Sequence, residues 1–72
     1  MPHISLSLYT GRSKEELDKI ADALQKCLME TAGWKPEAIS VSIEEIEANT
    51  FIQKVQEKIE DETLVIPSDF IK

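Results

Sequence analysis

The chain has 72 residues and a formal net charge of −6, from 8 basic and 14 acidic side chains, and it contains one cysteine. This size fits a single domain over residues 1–72, the single thiol excludes an internal disulfide, and the acidic balance argues against nucleic acid as a partner. No apolar run approaches the ~20 residues of a membrane span and no signal peptide is recognisable, so we expect a cytoplasmic protein without a membrane partner.

The first predicted elements are a strand and an amphipathic helix. Apolar and polar residues alternate over His3–Tyr9, as in a half-buried strand. Ser13 and Glu16 have the spacing of a capping box, and apolar residues then recur at helical spacing over residues 17–32. Gly33 is a residue typical of a helix end.

A second strand and a second helix follow. Apolar residues alternate with serines over residues 39–43, which predicts a strand. A strand, a crossover helix and a strand form a β-α-β unit, so the two strands should be parallel. Asn49 or Thr50 is expected to cap the second helix, which should fray by residues 60–62. Residues 64–67 are expected to form a short strand or an extended arm.

Two strands alone do not make a stable sheet, because both leave edges unpaired. Pairing with a second copy would give four strands with helices over one face. We therefore predict an α+β homodimer, with a β-α-β unit, a C-terminal helix and arm, and a four-stranded sheet that forms on dimerisation. Phe70 and Ile71, close to the end of the chain, are expected to dock on a neighbouring surface.

Pro2 is the candidate catalytic residue, because its nitrogen would be a free secondary amine once Met1 is removed. An apolar pocket or a nearby cation lowers the pKa of an amine toward the range in which a general base works best. Arg12 could be that cation, or it could hold a substrate carboxylate through two hydrogen bonds. The residues alone leave a second interpretation open, in which Pro2 merely begins a strand.

Other polar residues have simpler interpretations. His3 is expected to be a hydrogen-bonded surface histidine, with a second acid–base role as the alternative. Tyr9 is expected to pack at an interface, or else to reach the site. Cys27 lies on the apolar side of the first helix and is expected to be a buried, inert thiol. The glutamates within residues 44–47 predict a solvated edge and no metal site.

The stretch PHISLSLYTGRS at residues 2–13 resembles the amino terminus of the tautomerase superfamily, in its 4-oxalocrotonate tautomerase-like group. The resemblance covers residues 2–51 without a gap, and its most specific feature is the spacing from Pro2 to Gly11-Arg12-Ser13. It implies that Pro2 is the general base after loss of Met1, that Arg12 binds a substrate carboxylate and that Phe51 forms an apolar wall. It also implies a small enol or keto acid substrate and no cofactor.

Two departures from this group narrow the prediction. The group's second arginine falls on Ser40, so a monocarboxylic substrate such as phenylpyruvate is expected, with Ser40 as a binding residue. The second departure is at residues 52–64, which are predicted to be helical, whereas the hexameric members of the group have a glycine-rich hairpin there. This resembles the dimeric phenylpyruvate tautomerase subgroup and favours a homodimer over a homohexamer.

The resulting prediction is an isomerase that interconverts keto and enol forms. The neutral Pro2 amine would take a proton and return it to the neighbouring carbon, while Arg12 orients the carboxylate. The donor that stabilises the enolate is left open between Ser40 and a backbone N–H. The alternatives are a non-catalytic homo-oligomeric assembly module, and a dehalogenase or decarboxylase on the same fold.

Overall fold

The computed structural model describes residues 1–68 of the chain. Within them the elements run β1 (His3–Tyr9), α1 (Lys14–Ala32), one turn of 3-10 helix (Pro36–Ala38), β2 (Ser40–Ile46) and α2 (Ala48–Glu60). The two strands, which α1 connects in the chain, pair with each other in parallel, with His3 opposite Ser40 and Tyr9 opposite Ile46. The predicted β-α-β unit is therefore confirmed, while the expected docking of Phe70 and Ile71 falls outside the described residues.

Local signals set both ends of α1. The Ser13 hydroxyl accepts the backbone N–H of Glu16 at 3.1 Å, which confirms the predicted N-cap. At the other end Gly33 has a φ of 78°, a conformation that glycine adopts without steric cost. Its N–H donates to the carbonyl of Met29 at 3.0 Å and so terminates the helix where the sequence predicts.

The second strand is longer than its alternating apolar residues indicate. It ends at Ile46, because Glu44 and Glu45 continue the parallel register opposite Ser7 and Leu8 of β1. Both glutamate side chains are exposed, so their charges do not oppose strand pairing. Ile46, at 3% exposure, is buried at the end of the strand.

The predicted cap of α2 is wrong. The helix begins at Ala48, and its N-cap is Glu47, which makes no capping bond through its side chain. Thr50 lies inside the first turn, where its N–H and hydroxyl both donate to the Glu47 carbonyl, at 3.0 and 3.3 Å. Thr50 therefore supports the first turn from within. The helix ends at Glu60, as expected.

The segment after α2 forms no strand within residues 1–68, so the strand alternative for residues 64–67 is wrong. The expected arm remains, with Val65 and Ile66 largely exposed.

Few apolar side chains are buried within the described part of the chain. They are Ile39, Ile46 and Val55, each with 7% exposure or less. Cys27 is exposed, so the prediction of a buried thiol is wrong; its Sγ lies 3.8 Å from the Thr31 hydroxyl one turn further along α1. No helix within residues 1–68 has both the length and the apolar character needed to cross a membrane.

Candidate active site

A concave region lies where β1 ends and α1 begins. It is lined by residues 7–9 at the end of β1, by residues 10–12 of the β1–α1 connection, by Glu16 of α1, and by Phe51 and Ile52 of α2. Its volume is about 560 Å³, within the roughly 300–1,000 Å³ typical of small-molecule sites. The polar groups of this pocket are therefore candidates for ligand contacts.

The backbone at Gly11 directs the chain into the pocket. Thr10 still belongs to the sheet, since its N–H donates to the Ile46 carbonyl at 3.2 Å. Gly11 then has a φ of 118°, a conformation that residues with a side chain rarely adopt. This turn brings Arg12 to the pocket wall immediately before the Ser13 cap of α1.

Two aromatic rings form an apolar part of the wall. The rings of Tyr9 and Phe51 meet edge to face, with centroids 4.7 Å apart and an interplanar angle of 88°. Phe51 therefore gives this pocket part of an apolar wall. Tyr9 is half exposed, and its hydroxyl has no hydrogen-bond partner among residues 1–68. Tyr9 therefore lies on the pocket wall, which is the alternative that the sequence left open for it.

Arg12 carries the positive charge of the pocket. Its Nη1 donates to Oε2 of Glu16 at 3.3 Å, and both side chains are about half exposed. A guanidinium has five N–H donors in a fixed fork, and the others have no protein partner within residues 1–68. Arg12 can therefore bind a carboxylate while it keeps its ion pair.

Pro2 and Ser40 lie at the opposite end of β1. The Ser40 N–H donates to the Pro2 carbonyl at 3.2 Å. Pro2 lies five residues before Ser7, the first residue of the pocket lining, a distance of about 16 Å at ~3.3 Å per residue in a strand. A single chain thus brings Arg12 and Phe51 together but keeps both away from Pro2 and Ser40.

His3 contacts two serines of β2, Ser40 and Ser42, at the end of the sheet where Pro2 lies. Its Nδ1 lies 2.6 Å from Oγ of Ser40, and its Nε2 lies 3.1 Å from Oγ of Ser42. The expectation of a hydrogen-bonded surface histidine is confirmed. Because side chains alternate along an extended chain, His3 and Ser40 lie on the face opposite to the Pro2 ring. The Ser40 hydroxyl therefore points away from Pro2 of its own chain.

Among residues 1–68, no group of three or more His, Cys, Asp or Glu side chains is arranged to hold a metal ion. The glutamates of residues 44–47 are exposed.

Comparison with known proteins identifies the family. The family described as "Tautomerase enzyme" matches residues 2–58. The chain belongs to the tautomerase family. A probable tautomerase of Xylella fastidiosa (strain 9a5c) is 33% identical over 55 residues, which cover 76% of this chain and 67% of that protein.

Structural comparison agrees with this membership. The crystal structure of TomN, a 4-oxalocrotonate tautomerase homologue in the tomaymycin biosynthetic pathway, matches with a TM-score of 0.67 and 28% sequence identity. The match covers 76% of this chain and 94% of TomN. The fold is thus that of 4-oxalocrotonate tautomerase-like proteins, and membership of the tautomerase family points to an isomerase.

Proposed function

We propose that this chain is a cofactor-independent keto-enol tautomerase of small monocarboxylic 2-keto acids such as phenylpyruvate. One observation carries the proposal, namely that a guanidinium and an aromatic pair line the same pocket of about 560 Å³. Arg12 would bind the carboxylate through its free N–H donors. The rings of Tyr9 and Phe51 would pack against the organic part of the substrate.

The complete site would need a second copy of the chain. The sheet order is β1-β2, so within the described residues one edge of β1 is unpaired. Antiparallel pairing of β1 with β1 of a second copy would set the start of each strand against the end of the other. Pro2 of one copy would then approach the pocket of Arg12 and Phe51 in the other. We therefore propose a homodimer with two composite sites, and a homohexamer built from such dimers is the alternative.

The proposed chemistry uses Pro2 as both base and acid. After Met1 is removed, an apolar wall and a nearby guanidinium both favour the neutral amine. In the enol-to-keto direction this amine takes the proton of the enol hydroxyl and returns it to the alpha carbon. In the reverse direction it takes a proton from the alpha carbon and returns it to the carbonyl oxygen. Tyr9 is the enolate donor we propose in place of Ser40, because its free hydroxyl lies on the pocket wall.

The location of the protein belongs to the same proposal. An exposed free thiol such as Cys27 is compatible with a reducing compartment, so we propose a cytoplasmic location.

The decisive experiment follows ketonisation of phenylpyruvate enol by ultraviolet absorbance. It uses protein whose mass shows that Met1 is absent, beside the variant Pro2→Ala. We expect a rate well above buffer that falls by at least about a hundredfold in the variant, since general acid–base groups contribute about 10²–10⁴-fold. A rate equal to buffer, or one unchanged in Pro2→Ala, would favour the assembly module or a different reaction on this fold.

A further inference from the structure

The pocket that holds Arg12 also contains a carboxylate. Glu16 lines the same wall, with Oε2 3.3 Å from Nη1 of Arg12. Arg12 and Glu16 are the charged side chains among the lining residues. Their charges cancel, so the lining of this proposed anion-binding pocket has no net charge.

The first turn of α1 holds Glu16 in place. Its backbone N–H donates to the Ser13 hydroxyl at 3.1 Å, and its Oε1 lies 3.5 Å from the same hydroxyl. A carboxylate in the first turn is also favoured by the partial positive charge of a helix N-terminus. Arg12 and Glu16 are four residues apart, a spacing that lets their side chains meet. Glu16 is therefore a fixed negative charge at the edge of the pocket.

We propose that Glu16 is a specificity-determining residue, which restricts the pocket to substrates with one carboxylate and a neutral remainder. The proposal rests on the proposed function, in which Arg12 binds the substrate carboxylate. One carboxylate can use the N–H donors of Arg12 that Glu16 leaves free. A second carboxylate finds no further cation among the lining residues and is repelled by Glu16. Glu16 would have this effect whichever residue stood at position 40.

The variant Glu16→Gln tests the proposal with little change in shape. The bond from the residue 16 backbone to Ser13 survives, and the amide oxygen can still accept a hydrogen bond. The substrates are 4-hydroxyphenylpyruvate, with one carboxylate, and 4-carboxyphenylpyruvate, with two. We expect the ratio of kcat/KM for the dicarboxylate to that for the monocarboxylate to rise about fivefold or more at low salt. Added salt should shrink this gain, because it screens exposed charges.

A second ion pair on the same helix supplies the control. Lys14 Nζ and Asp18 Oδ2 are also 3.3 Å apart at the same spacing, but neither residue lines the pocket. Asp18→Asn removes one negative charge and one ion pair from the same helix. We expect it to leave the substrate ratio within about twofold of the wild-type value. An equal gain in Asp18→Asn would overturn the proposal, since net charge would then explain the effect.

A binding measurement separates the role of Glu16 from the proposed reaction. Calorimetry would give the affinities of 3-phenylpropionate and 3-(4-carboxyphenyl)propionate for the wild type and both variants. One outcome is that the dicarboxylate affinity rises in Glu16→Gln alone while none of the three proteins turns over the keto acids. That result would support the role of Glu16 and contradict the tautomerase proposal. The role of Glu16 would be overturned if Glu16→Gln left both the kcat/KM ratio and the affinity ratio of dicarboxylate to monocarboxylate unchanged. It would also be overturned if neither acid bound to the wild type.

Discussion

At the scale of single residues, the contact of Tyr9 with Phe51 gives the ring and the hydroxyl of Tyr9 different roles. The edge-to-face contact at 4.7 Å contributes about 0.5–1.5 kcal/mol beyond burial in typical aromatic pairs. It holds the tyrosine ring against α2 although about half of Tyr9 is exposed. The ring therefore has a structural role, while the hydroxyl is free to bind a ligand.

Tyr9→Phe separates these two roles, because it keeps the ring and removes the hydroxyl. If Tyr9 donates to the enolate, kcat for phenylpyruvate enol should fall about tenfold or more with little change in KM, as on loss of an oxyanion donor. The melting temperature should stay close to that of the wild type. Stopped-flow absorbance and thermal unfolding provide both values. An unchanged kcat would leave Tyr9 as a wall residue and assign the donor role to a backbone N–H.

Individual site residues differ in how far the sequence could place them. Arg12 and Phe51 were predicted to share a site from resemblance, and the structure brings both to one pocket. The sequence indicates a capping role for Glu16, and the structure adds a contact with Arg12 that the spacing of four residues allows. Pro2 and Ser40 lie at the other end of β1 from Arg12, and in the proposed homodimer the position of Pro2 relative to Arg12 would depend on the packing of the second copy, which one sequence does not reveal.

At the scale of elements, local chemistry predicted α1 well and β2 poorly. The Ser13 cap and the Gly33 end need only neighbouring residues, so a single sequence reveals them. The extension of β2 to Ile46 depends on pairing with Ser7 and Leu8 of β1, which lie far away in the chain. Long-range pairing overrode the low strand preference of Glu44 and Glu45.

The end of α2 depends on a carboxylate. Asp61 accepts the backbone N–H of Thr63 at 2.7 Å and the Thr63 hydroxyl at 2.8 Å. These two bonds, the backbone bond first, lower the pKa of Asp61 below its ordinary value of 3.8. Loss of solvation opposes this shift, and the charge of Lys58 adds a smaller lowering. The ionised form of Asp61 is therefore the form that stabilises this turn.

The sign of this pKa shift predicts how stability depends on pH. A lowered folded-state pKa gives a contribution that is present above the unfolded pKa and is lost as the pH falls through the folded value. The difference in melting temperature between the wild type and Asp61→Ala should therefore shrink between about pH 5 and about pH 2. Glu62→Ala is the control, since Glu62 is the neighbouring acidic residue and its side chain makes no hydrogen bond within residues 1–68. A difference that stays constant over this range, or an equal trend in the control, would contradict the role of Asp61.

At the scale of the whole molecule, one chain leaves much of its apolar surface accessible. Small domains bury a limited share of their surface, and within residues 1–68 the buried apolar side chains are Ile39, Ile46 and Val55. The parallel pair β1-β2 also has unpaired edges within the same residues. A second copy across β1 would extend the sheet and bring the two ends of the site together.

The composite site makes a prediction that a single-chain site does not. Pro2→Ala and Arg12→Ala should each be nearly inactive, because each homodimer lacks one required group in both sites. In a mixed dimer, one site combines Pro2 of the Arg12→Ala chain with Arg12 of the Pro2→Ala chain, and the other site lacks both. Random exchange of two equal pools should thus restore about a quarter of the wild-type activity, given a two-fold symmetric dimer. Mixing by unfolding and refolding, with mass spectrometry to count mixed dimers, checks this. Mixed dimers without activity would mean that Pro2 and Arg12 do not act across the β1 interface.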